Sequence, residues 1–169
     1  MQSGQILHKT EADAIRLNIE SESEVREAYE EILKNAKKYA PDADIQGVLV
    51  QEMIQGGVEV IVGVTKDPVF GPVIMFGLGG IFVEVLKDVS FRVAPLLRRD
   101  AEEMIEEIRG YPILEGVRGQ LPVSKEALID VILKVSDLVT AYQDDIDELD
   151  INPLLLFPDG ACAVDALVS

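Results

Sequence analysis

Near the end of the chain, "ELDINPLLLF" (148–157) sets Asp150 and Asn152 at the mouth of an apolar run, and Asp165 follows in the next apolar segment. Successive side chains of an extended strand alternate between faces, so Asp150 and Asn152 point the same way. A hairpin about the "PDG" turn (158–160) brings Asn152 roughly level with Asp165. Oxygen donors gathered without histidine or cysteine suit a hard cation. Mg²⁺ in particular takes one or two protein oxygens and completes its shell with phosphate and water. On spacing alone the other reading stands beside this one: Asp150 caps a turn and Asp165 is a surface acid.

A second grouping lies mid-chain. In "QEMIQGGVE" (51–59), Glu52 and Glu59 flank a strand–turn–strand. A nucleotide base can lie along such a hinge and pair with its backbone, while a carboxylate holds the ribose hydroxyls. Two ordinary acids on a hairpin fit the same spacing. The glycines of "FGLGG" (76–80) admit close backbone approach to a phosphate, and they equally mark a bulge or bend in a strand. Neither the Walker nor the Rossmann glycine spacing is present. Lys87 and Arg92 follow as cations. Arginine suits bidentate phosphate contact, or a surface ion pair. His8, the single histidine, is a base, a metal ligand, a phosphoryl acceptor or an inert residue near a terminus.

The elements that must position these groups alternate between strand and helix. "AIRLNI" (14–19) alternates as a strand does. A helix over 21–40 has Ser21 and Glu24 in capping-box spacing and a stripe of Val25, Tyr29, Ile32 and Leu33. "GVLVQEMI" and "VEVIVGVT" read as adjacent strands of a hairpin around 55–57. Helices are expected over "RRDAEEMIEEIRG" (98–110) and 124–143, and closing strands over 148–157 and 161–168. The pattern is an α+β fold, a mixed or antiparallel sheet covered by helices on one face.

The formal charge of −16 argues against nucleic acid or an anionic membrane as partner, because phosphate-rich surfaces need a basic footprint. The one cysteine, Cys162, cannot build an internal disulfide and fits a cytoplasmic location. No apolar run approaches the ~20 residues of a spanning helix.

"GVLVQEMIQGGVEVIVGVTKDPVFGPVIMFGLGGIFVEVLKDVSFRVAPL", with "ILHKTEADAIRLNI", "LEGVRGQLP" and "ELDINPLLLF", resembles the ATP-grasp domain of ADP-forming acetyl-CoA synthetases (acetate–CoA ligases), along essentially the whole chain. The resemblance implies an ATP-grasp-like fold, with 1–45 a remnant of the first lobe and 46–169 the nucleotide- and Mg-binding lobe. It implies phosphoryl transfer between a phosphohistidine and ADP or ATP, with a CoA-binding α-type subunit or domain as partner. His8 then matches a relay histidine, and Arg92 joins it as a catalytic residue. Glu52, Met53, Ile54 and Glu59 contact adenine and ribose. By similarity to the succinyl-CoA synthetase β-subunit, Asn152 and Asp165 bind Mg²⁺, with Asp150 a direct or outer ligand. The alternatives are a non-catalytic nucleotide-binding or scaffolding module, or an ATP-grasp ligase acting on another acid. Two departures stand out. Asp13 and Ala14 replace the glycine pair of a segment like "HKTDVGGV", and no strand lysine precedes "QILHK". The expectation is an N-terminally incomplete ATP-grasp unit, inactive by itself.

Overall fold

The computed structural model describes residues 5–6, 12–80, 83, 85–117 and 119–169. Two compact units divide the chain, Met1–Gln55 and Gly56–Ser169, so the division falls downstream of the expected 45/46 boundary.

In the first unit, α1 (Glu22–Tyr39) begins where its sequence says it should. Ser21 Oγ accepts from the Glu24 N–H at 3.3 Å, while the Glu24 carboxylate accepts from the Glu20 N–H at 2.7 Å. The first of these bonds satisfies a donor that the first helical turn leaves without a partner, and the second ties the residue before the cap to the helix. The buried face is narrower than the expected stripe. Ile32 and Ala36 pack with Ile6, Ala12 and Ala14, and Tyr29 is exposed. Segments 14–19 and 47–54, both expected as strands, form no ladder among the described residues beyond an isolated bridge at Gly47. A strand exists only where a neighbour takes up its N–H and C=O groups, and alternation alone does not supply one. The expected hairpin around 55–57 is therefore absent.

The second unit is built on an antiparallel sheet. Its strands are β1 (Val58–Asp67), β2 (Gly71–Leu78), β3 (Val89–Val93), β4 (Glu148–Phe157), β5 (Gly160–Ala163) and β6 (Ala166–Val168). The order is β3-β2-β1-β4-β5, with β6 also paired to β4. Between β3 and β4 come α2 (Arg98–Glu107), the short α3 (Tyr111–Leu114) and α4 (Lys125–Ala141). Ser124 caps α4 by accepting from the Ala127 N–H. The core lies on one face of the sheet. Val60, Val62 and Val64 of β1, Ile74, Phe76 and Leu78 of β2, and Leu149, Leu154 and Leu156 of β4 pack against Met104 and Ile105 of α2 and Leu128, Ile132, Val135 and Val139 of α4.

The register of β4 against β1 shifts once. Ile151 pairs with Val62, yet Leu154 pairs with Val60, so Asn152 and Pro153 together oppose Ile61. This is a β-bulge. It reconciles two parities: Leu149 and Ile151 precede it, Leu154 and Leu156 follow it, and all four serve the core. Without the extra residue one pair would turn outward.

Candidate functional site

The face of the sheet away from α2 and α4 carries different chemistry. Cross-strand pairing places Gly63 between Met75 and Asp150, and Ile61 level with Gly77. Gly63 thus leaves a gap where neighbouring strands carry side chains, and Gly77 admits close approach of another stretch of chain. A Cβ on Gly63 would lie 3.3 Å from Met75 Cε and 3.8 Å from Asp150 Oδ1. At Gly77 the chain folds back across the face, since a Cβ there would meet the Asp88 carbonyl at 2.9 Å and Val83 Cγ2 at 3.1 Å. Gly79 N–H donates to the Glu59 carbonyl at 2.7 Å, which ties the glycine-rich stretch to the strand bearing Glu59. Of the two readings of "FGLGG", the strand-and-bend role is visible at Gly77 and Gly79.

Asp150 stands over the gap left by Gly63. Its Oδ1 is buried and has no hydrogen-bond partner. Burial holds its carboxyl above the ordinary aspartate range, and the charges of Glu148 and Asp165 add to it. A buried oxygen left without a donor is costly, of order 1–3 kcal/mol, and is well matched to a cation.

The terminal hairpin brings Asn152 and Asp165 level, as expected from the turn. Asn152 N–H donates to the Asp165 carbonyl at 3.2 Å, and Val164 N–H donates to the Pro153 carbonyl at 3.0 Å. The expected single strand over 161–168 is broken at Val164–Asp165, between β5 and β6. That break lies opposite the bulge, where the ladder is interrupted. Both Asn152 and Asp165 are exposed. The oxygens assembled here are two carboxylates and one carboxamide. Among the described residues no three His, Cys, Asp or Glu side chains gather about one point. That donor set is too small for an all-protein cage and suits Mg²⁺ shared with phosphate and water.

The other expected site residues fall as follows. Glu59 is exposed near the start of β1, on the same face as Gly63 and Asp150. Glu52, Met53 and Ile54 belong to the first unit, in a segment without strand pairing. His8 lies outside the described residues. Arg92 lies on the other face of the sheet. It pairs with Ile74 in the sheet and therefore faces the helices, where it forms ion pairs with Glu107 at 2.8 Å and Glu103 at 3.9 Å. Strand alternation sets it on the side opposite Asp150, so it braces β3 against α2.

Sequence reasoning passed over Gly63 and Asp88. Asp88 accepts from the Arg109 and Gly110 N–H groups at 2.9 and 2.7 Å, holding the end of the β2–β3 connection to the α2–α3 turn. No local pattern announces it, because its partners are more than twenty residues away. The bulge did leave a trace: an Asn-Pro pair within an apolar strand is where a ladder tolerates interruption.

Comparison with known proteins adds an independent line. Residues 1–169 match the family described as an ATP-grasp domain. The chain is 55% identical over 164 residues to the acetate–CoA ligase [ADP-forming] I subunit beta of Pyrococcus furiosus, covering 97% of this chain and 70% of that one. A solved structure from Ca. Korarchaeum cryptofilum, a dinucleotide-forming acetyl-coenzyme A synthetase 1 in complex with coenzyme A, Ca-AMPCP and HgCl+, superposes with a TM-score of 0.93 at 47% identity, over 98% of this chain and 72% of that one. A second structure of that enzyme holds coenzyme A and Mg-AMPPCP, with a phosphohistidine segment pointing towards the nucleotide-binding site. It superposes with a TM-score of 0.87 at 43% identity, over 99% and 73% of the two chains. No described helix is long and apolar enough to cross a membrane.

Proposed function

The chain belongs to the ATP-grasp domain family and, within it, to the β-type chains of ADP-forming acetate–CoA ligases, and from that premise we propose that it transfers a phosphoryl group between a phosphohistidine and ADP or ATP. The single observation that carries the site is the buried, unpartnered Oδ1 of Asp150 beside the Asn152–Asp165 pair. In this reading Asn152 and Asp165 hold Mg²⁺ and Asp150 supports it from the glycine-lined face. The cation, when bound, neutralises charge on the terminal phosphates during transfer.

The remaining roles follow from the chain's own groups. The backbone of Glu52, Met53 and Ile54 pairs with adenine, and the Glu59 carboxylate accepts from the ribose hydroxyls. The Gly79 N–H bond to the Glu59 carbonyl keeps that strand end in place. His8 receives the phosphoryl group from a partner and passes it to the nucleotide, with the charge of Lys9 offsetting the phosphate. The partner is a CoA-binding α-type subunit or domain, which fits a relative named as a β subunit. Acetate is the first acid to test, because that relative is named for it. A cytoplasmic location accords with the single cysteine.

The test is calorimetric titration of Mg-ADP and Mg-ATP into the parent chain and into Asn152→Ala, Asp165→Ala and Asp150→Ala. Contacts to charged groups are worth about 1.5–3 kcal/mol, so each variant is expected to bind roughly tenfold or more weakly. Equal affinity in variants that keep the parent's circular dichroism spectrum refutes the site.

A further inference from the structure

Lys87 is a cation that the sequence singles out and the site as described leaves unused. It stands in the connection between β2 and β3, and both ends of that connection are fastened on the face that carries Asp150. At the first end Gly79 N–H donates to the Glu59 carbonyl at 2.7 Å, and a Cβ on Gly79 would lie 3.0 Å from Glu59 Cβ. At the other end the Asp88 carbonyl crosses Gly77, 2.9 Å from the place a Cβ would take on that face. Gly77 is level with Ile61, which lies on β1 between Glu59 and Gly63. Lys87 immediately precedes Asp88, so it adjoins the stretch of sheet that runs from the proposed ribose acid to the gap under Asp150.

Its backbone is held in an uncommon shape. Lys87 has φ +50, in the left-handed region, where lysine lacks the short polar side chain that eases asparagine and aspartate into it. Such a conformation persists only where the surroundings over-determine it, and residues of this kind cluster at functional sites. Here Val89 N–H donates to the Lys87 carbonyl at 3.1 Å, and the neighbouring Asp88 carboxylate is anchored by the Arg109 and Gly110 N–H groups at 2.9 and 2.7 Å. The lysine itself is exposed. In the second unit Lys66, Arg92, Arg98, Arg99, Lys125 and Lys134 pair with carboxylates, whereas Lys87 and Arg109 have no such partner among the described residues. Of those two, Arg109 belongs to the α2–α3 turn and Lys87 to the connection on the site face.

The chemistry of this face calls for a cation. Glu59, Asp150 and Asp165 are acids, and Glu148 stands two residues before Asp150 on the same side of β4. A nucleoside di- or triphosphate brings further negative charge, of which Mg²⁺ offsets a part. Lysine presents a compact point charge with three donors on a flexible stem, a form suited to phosphate oxygens that shift as a phosphoryl group is transferred. We propose that Lys87 contacts the phosphates of the bound nucleotide, and that its unpaired ammonium and left-handed backbone serve that contact. The proposal rests on the reading of this face as the Mg-nucleotide site.

The experiment titrates Mg-ADP, Mg-ATP and adenosine calorimetrically into the parent chain, Lys87→Gly, Lys87→Arg and, as a charge control on α4, Lys134→Ala. Lys87→Gly keeps the left-handed backbone and removes the charge, while Lys87→Arg keeps the charge. Lys87→Gly is expected to bind Mg-ADP and Mg-ATP about tenfold or more weakly, with the difference shrinking as salt rises, and to bind adenosine as the parent does. Lys87→Arg should recover most of the affinity, Lys134→Ala should match the parent, and the thermal midpoint of Lys87→Gly should not fall below the parent's. Parent-like affinity for Mg-ADP and Mg-ATP in Lys87→Gly, with Asp165→Ala still weakened, refutes the lysine contact and leaves the site standing. An equal loss for adenosine and for the nucleotides refutes a phosphate contact in favour of a structural role for the connection. Failure of the parent itself to bind Mg-ADP refutes the nucleotide reading, and the role of Lys87 with it.

Discussion

Alanine at Gly110 separates packing from backbone conformation in a way the structure lets one calculate. Gly110 has φ −74 and ψ −2, ordinary helical values that any residue adopts, so the substitution introduces no backbone strain. The cost lies in space. A Cβ at Gly110 would run into Leu78 Cδ1, with Leu78 Cγ at 3.1 Å and Asp88 Oδ2 at 3.2 Å. Leu78 is 1% exposed in the core and cannot move aside into solvent. Asp88 is held by the Arg109 and Gly110 N–H groups, so displacing it loosens both bonds. Overpacking a filled core costs about 1–3 kcal/mol. For a chain of this size each kcal/mol shifts the midpoint by about 2–4 °C, so a cost near 2 kcal/mol lowers it by about 4–8 °C. The assay is thermal unfolding followed by circular dichroism for Gly110→Ala, Leu78→Ala and the double variant. Leu78→Ala alone is expected to cost about 2–5 kcal/mol through the cavity it leaves. In the double variant the added methyl fills part of that cavity, and the combined loss falls short of the sum by about 0.5–3 kcal/mol. A Gly110→Ala midpoint within about 1 °C of the parent, or strict additivity in the double variant, refutes the packing argument.

Two further expectations concern the sheet. The Phe70 and Val69 N–H groups hold the Asp67 carboxylate below the ordinary aspartate range. Its folded-state value thus lies below the unfolded one of about 3.9, so its stabilisation is fully present above that pH and is lost as pH falls through the lower folded value. Asp67→Ala should flatten that part of the acid limb, and parallel acid unfolding of parent and variant would count against it. Deleting Pro153 removes the extra residue of the β4 bulge and turns either Leu149 and Ile151 or Leu154 and Leu156 off the core face. Two such side chains at about 1.5–3 kcal/mol each are enough to abolish cooperative unfolding, and a cooperative transition at the parent's midpoint would refute the bulge's role.

The sequence by itself determined what depends on near neighbours. Ser21 and Ser124 mark the starts of α1 and α4, because a hydroxyl and the N–H three residues on are bound by local geometry alone. The hairpin that levels Asn152 with Asp165 was legible for the same reason, since a short turn dictates its own register. The long quoted motif also carried the family, which the match over residues 1–169 bears out. Tertiary structure decided everything that needs a distant partner. Segments 14–19 and 47–54 alternate like strands yet form none, because a ladder requires a neighbour that their own residues do not specify. Arg92 reads in the sequence as a phosphate contact or one half of a surface ion pair. Its pairing with Ile74 turns it toward the acids of α2, and a period of two allows no other face. Asp150 reads in the sequence as a cation ligand or a turn cap. Only the fold sets its Oδ1 over Gly63 without a partner, because burial and orphaning are properties of surroundings contributed by β1 and β2.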